Sequence, residues 1–350
     1  MKRSGETDDE ITALAQRMRE MISASWMSQA IYVAAELRIA DFLVKGARTE
    51  QELAALTQTH EGALRRLLRA LTTIDFCREL EDGSFEVTPL GSLLATDAPY
   101  SLRSWALWWG AQLWPVWGQL LYSVRTGQSA RKLLLGTEGF GHLERDPALA
   151  RIFHGAAAEL TKLTAIDVVR AYDFSGLDRI VDVGGGCGEL LAAVLLAAPA
   201  ARGVLFDLPP AVELGRAQLE TLGLAARCEF VAGSFLDSVP AGGDVYILKS
   251  VIHDWNGADC QRILRNCRKA MGGGRILLIE EMLPEHLTNS RAHQAVACSD
   301  LTMLAALAAQ ERTDAELREL LASAGFRVVR VLPAGPTFRI IEALPEPWLT

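Results

Sequence analysis

Residues 180–191 read IVDVGGGCGELL: a short apolar run around one acid, four glycines within five positions (Gly184, Gly185, Gly186 and Gly188), then a second apolar run. Glycines this dense weaken helix and strand alike, because each gives up more backbone freedom on ordering than any other residue. A chain that keeps them needs its backbone pressed against something, with no side chain between. The pattern predicts a strand ending at the loop and a helix beginning after it. Main-chain N–H groups at that helix start then face a bound polar or anionic group.

The sequence from residue 176 onward repeats the strand–helix rhythm. RIVDVGGG, RGVLFDLP, CEFVAGSF, GDVYILKSVIHDW and GRILLIEEML read as strands, and ELLAAVLLAAP, AVELGRAQLETLGL and CQRILRNCRKAM as helices between them. ELRELLASAGFRVVRVLPAGPTFRIIEAL reads as a helix and two strands joined by a Pro/Gly turn. Apolar strands without polar alternation are buried on both faces, as in a parallel sheet covered by helices. Residues 176–350 therefore predict a Rossmann-like, doubly wound α/β domain.

At 350 residues the chain is long for one core, and the part before 176 reads differently. Residues 11–100 are helical with short turns, and Ala30, Val33, Ala34, Leu37 and Ile39 share one apolar side. Thr49 with Glu52 predicts a capping box, a turn near 59–62 splits two helices, and Asp82-Gly83 predicts a hairpin. Helix, turn, helix and hairpin outline a winged helix. Arg65, Arg66 and Arg69 share the outer face of the second helix, opposite Leu64, Leu67, Leu68 and Leu71. Because residues 1–100 hold eleven Lys and Arg against sixteen Asp and Glu, that stripe reads as a solvated face rather than a DNA reader. Residues 101–175 form a helical connector with five of the eight tryptophans, Trp105, Trp108, Trp109, Trp114 and Trp117. Packing is one reading of this stripe; an aromatic pocket lined by Trp109 is the other.

A net charge of −8 leaves no footprint for nucleic acid or an anionic membrane. Six cysteines without a Cys-x-x-Cys pair point to reduced thiols in a cytoplasm. The polar first ten residues, MKRSGETDDE, show no secretory signal and are expected to fray, and no apolar run reaches membrane-spanning length.

Two cofactor classes, nicotinamide and S-adenosylmethionine, compete for the glycine loop. A Gly-x-Gly-x-x-Gly fingerprint fails in both registers, since its last position falls on Glu189 or on Leu191. An acid at the strand end, Asp182, followed at once by glycines is the S-adenosylmethionine pattern. Asp207, closing the next strand in LFDLP, is placed to accept ribose hydroxyls. His253, Asp254 and His293 are separated by forty residues without ligand spacing, so no metal site is expected.

VYILKSVIHDW, EEMLP, DLTML and ERT, in that order, resemble the plant caffeic-acid-type O-methyltransferases and their bacterial relatives acting on polyketides, phenazines and other aromatic natural products. The resemblance spans nearly the whole chain and makes residues 11–100 a dimerisation domain, hence a homodimer. It implies S-adenosyl-L-methionine as cofactor and His253 as the catalytic histidine, with Glu280 and Glu311 as its partner acids. Cofactor contacts carry over to Gly184, Gly185, Gly186, Asp207, Leu208, Gly233, Ser234, Phe235, Lys249 and Thr161, and substrate contacts to Phe153, Ala157 and Met303. The family often has an acid at the Ser234 position, and its Asn and Met in the phenylalanine helix are His154 and Ala157 here. The stretch between Met303 and Glu311 is Ala/Leu-rich rather than Gly-rich, which predicts a helical, apolar pocket wall.

The implied activity is O-methylation of a phenol on a small aromatic secondary metabolite. A free phenol has a pKa of about 10, so a neutral imidazole takes its proton as the bond forms. Histidine's unperturbed pKa of about 6.5 suits that role at neutral pH. A carboxylate on the other ring nitrogen fixes the tautomer, a role open to Glu280 or Glu311. Competing readings are C- or N-methylation, a non-methylating relative of the fold, and a ligand-sensing winged-helix regulator.

Overall fold

The computed structural model describes residues 8–137 and 139–347. They form two compact units, Met1–Gln112 and Leu113–Thr350. In the first, α1 (Asp8–Ser23), α2 (Ser25–Glu36), α3 (Ile39–Leu43), α4 (Glu50–Thr57) and α5 (Glu61–Thr72) precede a hairpin of β1 (Cys77–Glu79) and β2 (Phe85–Val87). A last helix, α6 (Arg103–Leu107), closes the unit. The expected fraying falls outside the described residues for 1–7. Asp8, Asp9 and Glu10 are instead the first turn of α1, where acids suit the positive end of a helix dipole.

Thr49 and Glu52 form the reciprocal capping box that starts α4. Leu64, Leu68 and Leu71 of α5 are buried. Arg65 is bound by Glu50 and Glu79, so part of the basic stripe is neutralised by its own unit. Val33 departs from the expected apolar face: it is exposed, and Ala34 and Ala35 are the buried residues of α2. All of α1 stays uncovered, with Leu14, Met18, Met21 and Ile22 exposed beside Trp26 of α2. The boundary between the units crosses the tryptophan stretch at a π-helical segment, Trp108–Leu113.

The second unit opens with α7 (Trp114–Trp117), α8 (Leu120–Thr126), α9 (Ala130–Leu135), α10 (Gly141–Arg145) and the long α11 (Pro147–Ala171). Strand and helix then alternate through β3 (Arg179–Val183), α12 (Glu189–Ala197), β4 (Arg202–Asp207), α13 (Pro209–Thr221), β5 (Cys228–Ala232), β6 (Val245–Lys249), α14 (Gly257–Ala270) and β7 (Arg275–Leu283). The chain finishes with α15 (Arg291–Leu307), β8 (Arg312–Thr313), α16 (Asp314–Ser323), β9 (Phe326–Ala334) and β10 (Phe338–Pro345).

The sheet order is β5-β4-β3-β6-β7-β10-β9, with β8 paired to the end of β7. Strands β5 to β7 are parallel, while β10 runs antiparallel to both neighbours. Successive strand residues feed two cores. Ile180, Leu205, Ile247 and Leu277 face α11 and α12, whereas Val181, Val204, Tyr246 and Ile276 face α14 and α16. Burial on both faces explains why these strands read as unbroken apolar runs. The order reverses between β3 and β6, which opens the crevice where such sheets bind ligands.

Candidate active site

The glycine loop leaves β3 with Gly184 in a left-handed conformation (φ +71°), which lets the chain turn across the sheet edge. A Cβ on Gly185 would sit 2.5 Å from Leu205 Cδ1 and 2.8 Å from the Asp182 carboxylate, so this position admits no side chain. A Cβ on Gly184 would meet Val251 at 2.9 Å and Phe235 at 3.4 Å. The fold therefore gathers the glycine loop, the loop after β5 and the loop after β6 at one end of the sheet.

Asp207 closes the loop from β4. Its Oδ2 accepts the Gly186 amide at 2.8 Å and its Oδ1 the Leu208 amide at 2.6 Å, and its backbone oxygen takes the Gly233 amide at 2.9 Å. Burial raises the Asp207 pKa against the pull of those amides and of His154. Ser234 uses its hydroxyl to accept the Leu236 amide at 3.2 Å, which caps its own turn. Phe235 stands edge-on to Trp255 with ring centres 5.6 Å apart. Lys249, at the end of β6, donates to Thr161 Oγ1 of α11 at 3.2 Å, and Thr161 in turn donates to Ala157 O. Burial lowers the Lys249 pKa, opposed by Glu280, Glu281, Asp182 and Asp254.

His253 lies on a single tight turn, Ile252–Asp254, just beyond β6. Ser250 begins this turn with φ +53°, left-handed although it is not glycine, a conformation that concentrates at functional sites. Glu280 Oε1 then accepts the amides of Val251 at 3.1 Å and Ile252 at 2.8 Å. Glu280 thus holds the backbone of the turn, and its other oxygen faces His253 Nδ1 at 3.9 Å. Glu311 Oε1 lies 2.9 Å from the same Nδ1 and also accepts the Ser299 hydroxyl at 2.7 Å. The Glu311 amide donates to Asp300 Oδ1 at 2.9 Å. The two acids therefore play different parts, Glu311 meeting the imidazole and Glu280 the chain beneath it. A carboxylate can only accept here, so the shared proton sits on Nδ1 and leaves Nε2 for other chemistry. Asp254 Oδ1 is 3.5 Å from Nε2.

Charge reaches the imidazole from three carboxylates. Burial alone would lower the His253 pKa, yet Asp254, Glu311 and Glu280 outweigh it and push it up to about 10. Burial raises Glu280 to about 7, with the imidazolium pulling the other way. Burial also raises Asp254 to about 6, and Asp182, with Asp207 beside it, to about 7.

The metal set weighed from the sequence does not form: His293 Nδ1 accepts the Thr288 amide at 2.9 Å near the start of α15. The titratable side chains that do meet are His253, Glu280 and Glu311, with one ligand atom from each within 4.8 Å of the others. Two ligand atoms of a tetrahedral zinc stand about 3.3 Å apart. The 2.9 Å between Nδ1 and Glu311 is the spacing of a hydrogen bond, so a proton suits the trio better than a metal ion. Glu280 holds the turn after β6 instead of capping its own, and α16 starts at Asp314 behind a Thr313–Glu316 capping box, beyond Glu311.

S-adenosylmethionine fits the glycine end of this site. Asp182 is 1% exposed and its Oδ2 has no hydrogen-bond partner among the described residues, a buried carboxylate oxygen suited to a proton or a cation. Gly185 leaves room for no atom of its own at the same point. Phe153 packs against Phe140 with ring centres 5.3 Å apart, and Ala157 lies one helical turn along α11. Met303 is half-buried on α15, which Trp117 reaches through a 3.2 Å bond to Thr302. The apolar wall is helical only to Leu307, because Ala308 adopts φ +53° and ends it. Trp109 belongs to the first unit. Sequence reasoning missed Ser250, Ser299, Asp300 and Arg312. Ser250 lies inside VYILKSVIHDW, Asp300 opens DLTML and Arg312 is the middle of ERT, so only Ser299 had no pointer.

A family model for an O-methyltransferase domain matches residues 117–327, and one for an O-methyltransferase dimerisation domain matches residues 19–97. Phenazine O-methyltransferase PhzM of Lysobacter antibioticus is 40% identical over 95% of this chain and 96% of its own. The 8-amino-8-demethylriboflavin N,N-dimethyltransferase of Streptomyces davaonensis is 35% identical, covering 94% of each chain. Among solved structures, the O-methyltransferase NcsB1 from neocarzinostatin biosynthesis, in complex with S-adenosylmethionine and 2-hydroxy-5-methyl naphthoic acid, superposes with a TM-score of 0.78. It is 33% identical over 91% of this chain and 96% of that one.

Proposed function

The chain belongs to the S-adenosylmethionine-dependent O-methyltransferase family, and from that premise we propose that it methylates a phenolic hydroxyl of a small aromatic secondary metabolite with His253 as general base. The observation that carries this reading is the 2.9 Å contact between Glu311 and His253 Nδ1, which leaves Nε2 to receive the acceptor's proton. The bound cofactor supplies an electrophilic methyl on a sulfonium. Gly184, Gly185, Gly186, Asp207, Leu208, Gly233, Ser234, Phe235, Lys249 and Thr161 line its place, and Phe153, Ala157 and Met303 the acceptor's.

The chain's own contribution is alignment and proton transfer. The proton of the acceptor hydroxyl passes to His253 Nε2. Glu311 keeps the ring oriented, and Glu280 and Asp254 offset the imidazolium charge. A base must start neutral, and the surrounding carboxylates favour the charged form. A sulfonium held in the site would counter them, because like charge disfavours protonation. The catalytic domain spans 176–350, with 101–175 as a connector and 11–100 as the dimerisation domain of a homodimer. Exposed apolar residues along α1 and Trp26 support such a partner surface. Free thiols at all six cysteines support a reducing, cytoplasmic setting. Among the described residues no helix is long and apolar enough to cross a membrane.

The test is methyl transfer to a panel of phenols by wild type and His253→Ala. The variant should bind S-adenosylhomocysteine normally and turn over about 10²–10⁴-fold more slowly, recovering partly as pH approaches the phenol's own pKa. Near-normal turnover at neutral pH would remove His253 from proton transfer. Methyl uptake by aromatic amines but not phenols would make this an N-methyltransferase, as its riboflavin-analogue relative is.

A further inference from the structure

We propose that Arg312 is the positioning residue of the base, a buried guanidinium that ties the strand end carrying Glu311 to the turn carrying His253. The inference rests on reading His253 as the base, and extends it to a residue outside the reacting set.

Arg312 is 6% exposed. Its Nη1 donates to Ile252 O at 2.8 Å and its Nη2 to Trp255 O at 2.9 Å, so the two carbonyls flanking His253 and Asp254 are held by one fork. Nη1 also reaches Gln310 O at 3.4 Å, which folds the side chain back over its own strand. Cys260 completes the grip, its thiol 3.2 Å from the same two carbonyls and 3.5 Å from Nη2. The backbone of Arg312 is itself placed by β7, since β8 pairs in parallel with Met282 opposite Arg312. That strand also carries Glu280, whose Oε1 holds the amides at the other side of the turn.

The turn is thereby clamped from both sides, its N–H groups by a carboxylate and its C=O groups by a guanidinium. The 2.9 Å contact between Glu311 and the imidazole is only as constant as the link between their two segments. Arg312, adjacent to Glu311 in the chain and bonded to the His253 turn, is that link. A planar fork can satisfy two carbonyls at once, which an ammonium on a flexible stem does less well. Spending a buried cation on neutral carbonyls is costly unless the position it enforces matters. The arginine also borders a cleft of about 380 Å³ shared with Trp255, Asn256, Gln261, Gln310 and Glu316, through which a small guanidinium can reach the same spot.

Arg312→Lys and Arg312→Ala test this with the full-length enzyme carrying isotope-labelled histidine, His253 being assigned from the signal lost in His253→Asn. In folded Arg312→Lys the His253 ring nitrogens should shift and their titration should move. The kcat for a phenol should drop about 10–100-fold, the cost of small misplacement, while KM and the Kd for S-adenosylhomocysteine stay within about threefold. Methylguanidinium should restore Arg312→Ala, and sodium chloride at equal ionic strength should not. Wild-type ring signals and kcat in a folded Arg312→Lys enzyme would overturn the proposal. So would a kcat loss that tracks the melting temperature with the ring signals unmoved. If Arg312→Ala does not fold, Arg312→Lys carries the test. If the wild type methylates no phenol, the reading of the acceptor fails while the ring signals still decide the role of Arg312.

Discussion

Glu280→Gln should make the protein more stable at mildly alkaline pH while slowing it. Glu280 is 2% exposed, and burial raises its pKa from 4.5 to about 7 despite the nearby imidazolium. A folded-state pKa above the unfolded one means that the folded protein binds the extra proton between those values. Stability from this group is complete below pH 4.5 and is lost as pH rises through 7. At about 1.4 kcal/mol per pH unit, carrying the ionised carboxylate costs about 3 kcal/mol above pH 8. Glutamine keeps an oxygen for the Val251 and Ile252 amides and removes the charge. The pull of His253 is already contained in the value of about 7, and the glutamine NH2 standing where a carboxylate oxygen was trims the gain to about 1–3 kcal/mol. For a domain of this size the melting temperature should rise on the order of 3–10 °C at pH 8.5 relative to wild type. At pH 4.5 the two proteins should melt together. The assay is calorimetry across that range, paired with turnover, which should fall because the imidazolium has lost support. A variant less stable than wild type at both pH values would refute the reasoning and show that Glu280 is ionised at no net cost.

Gly185→Ala should abolish tight S-adenosylhomocysteine binding by titration calorimetry, since its Cβ would lie 2.5 Å from Leu205 and 2.8 Å from the Asp182 carboxylate. Asp207→Asn should weaken the same binding by about 1–3 kcal/mol, because a charged acceptor of the Gly186 and Leu208 amides becomes neutral. Unchanged affinity would remove Asp207 from the site. Glu311→Gln should pull the His253 pKa down from about 10 towards 6.5, read by histidine NMR, and a titration like that of wild type would contradict the 2.9 Å contact.

The parts of this site that were legible in the sequence are those that local chemistry dictates. The Asp182 glycine loop, the Asp207 strand end and the Thr49 capping box each rest on a few neighbouring residues whose conformational needs are written in their types. The pairing of His253 with Glu311 spans 58 positions. Nothing near His253 announces it, and its identification rested on the resemblance carried by IHDW and ERT. Which acid meets the ring and which holds the backbone depends on β7 and β8 lying side by side, a fact of topology rather than of local pattern. The same holds for Ser250, whose left-handed turn no glycine or asparagine advertises. Val33 departs from its pattern because helical periodicity shows which residues share a face but not whether that face is covered.

The charge around the histidine was not legible for a related reason. An isolated imidazole is mostly neutral at pH 7, and sequence alone cannot count the charges that folding brings to it. Here Asp254, Glu280 and Glu311 converge on one ring, and Glu280 Oε2 and Glu311 Oε2 are buried without hydrogen-bond partners among the described residues. Asp182 Oδ2 is in the same condition. Carboxylate oxygens left this way stay ionised only when positive charge lies close, and otherwise take up protons.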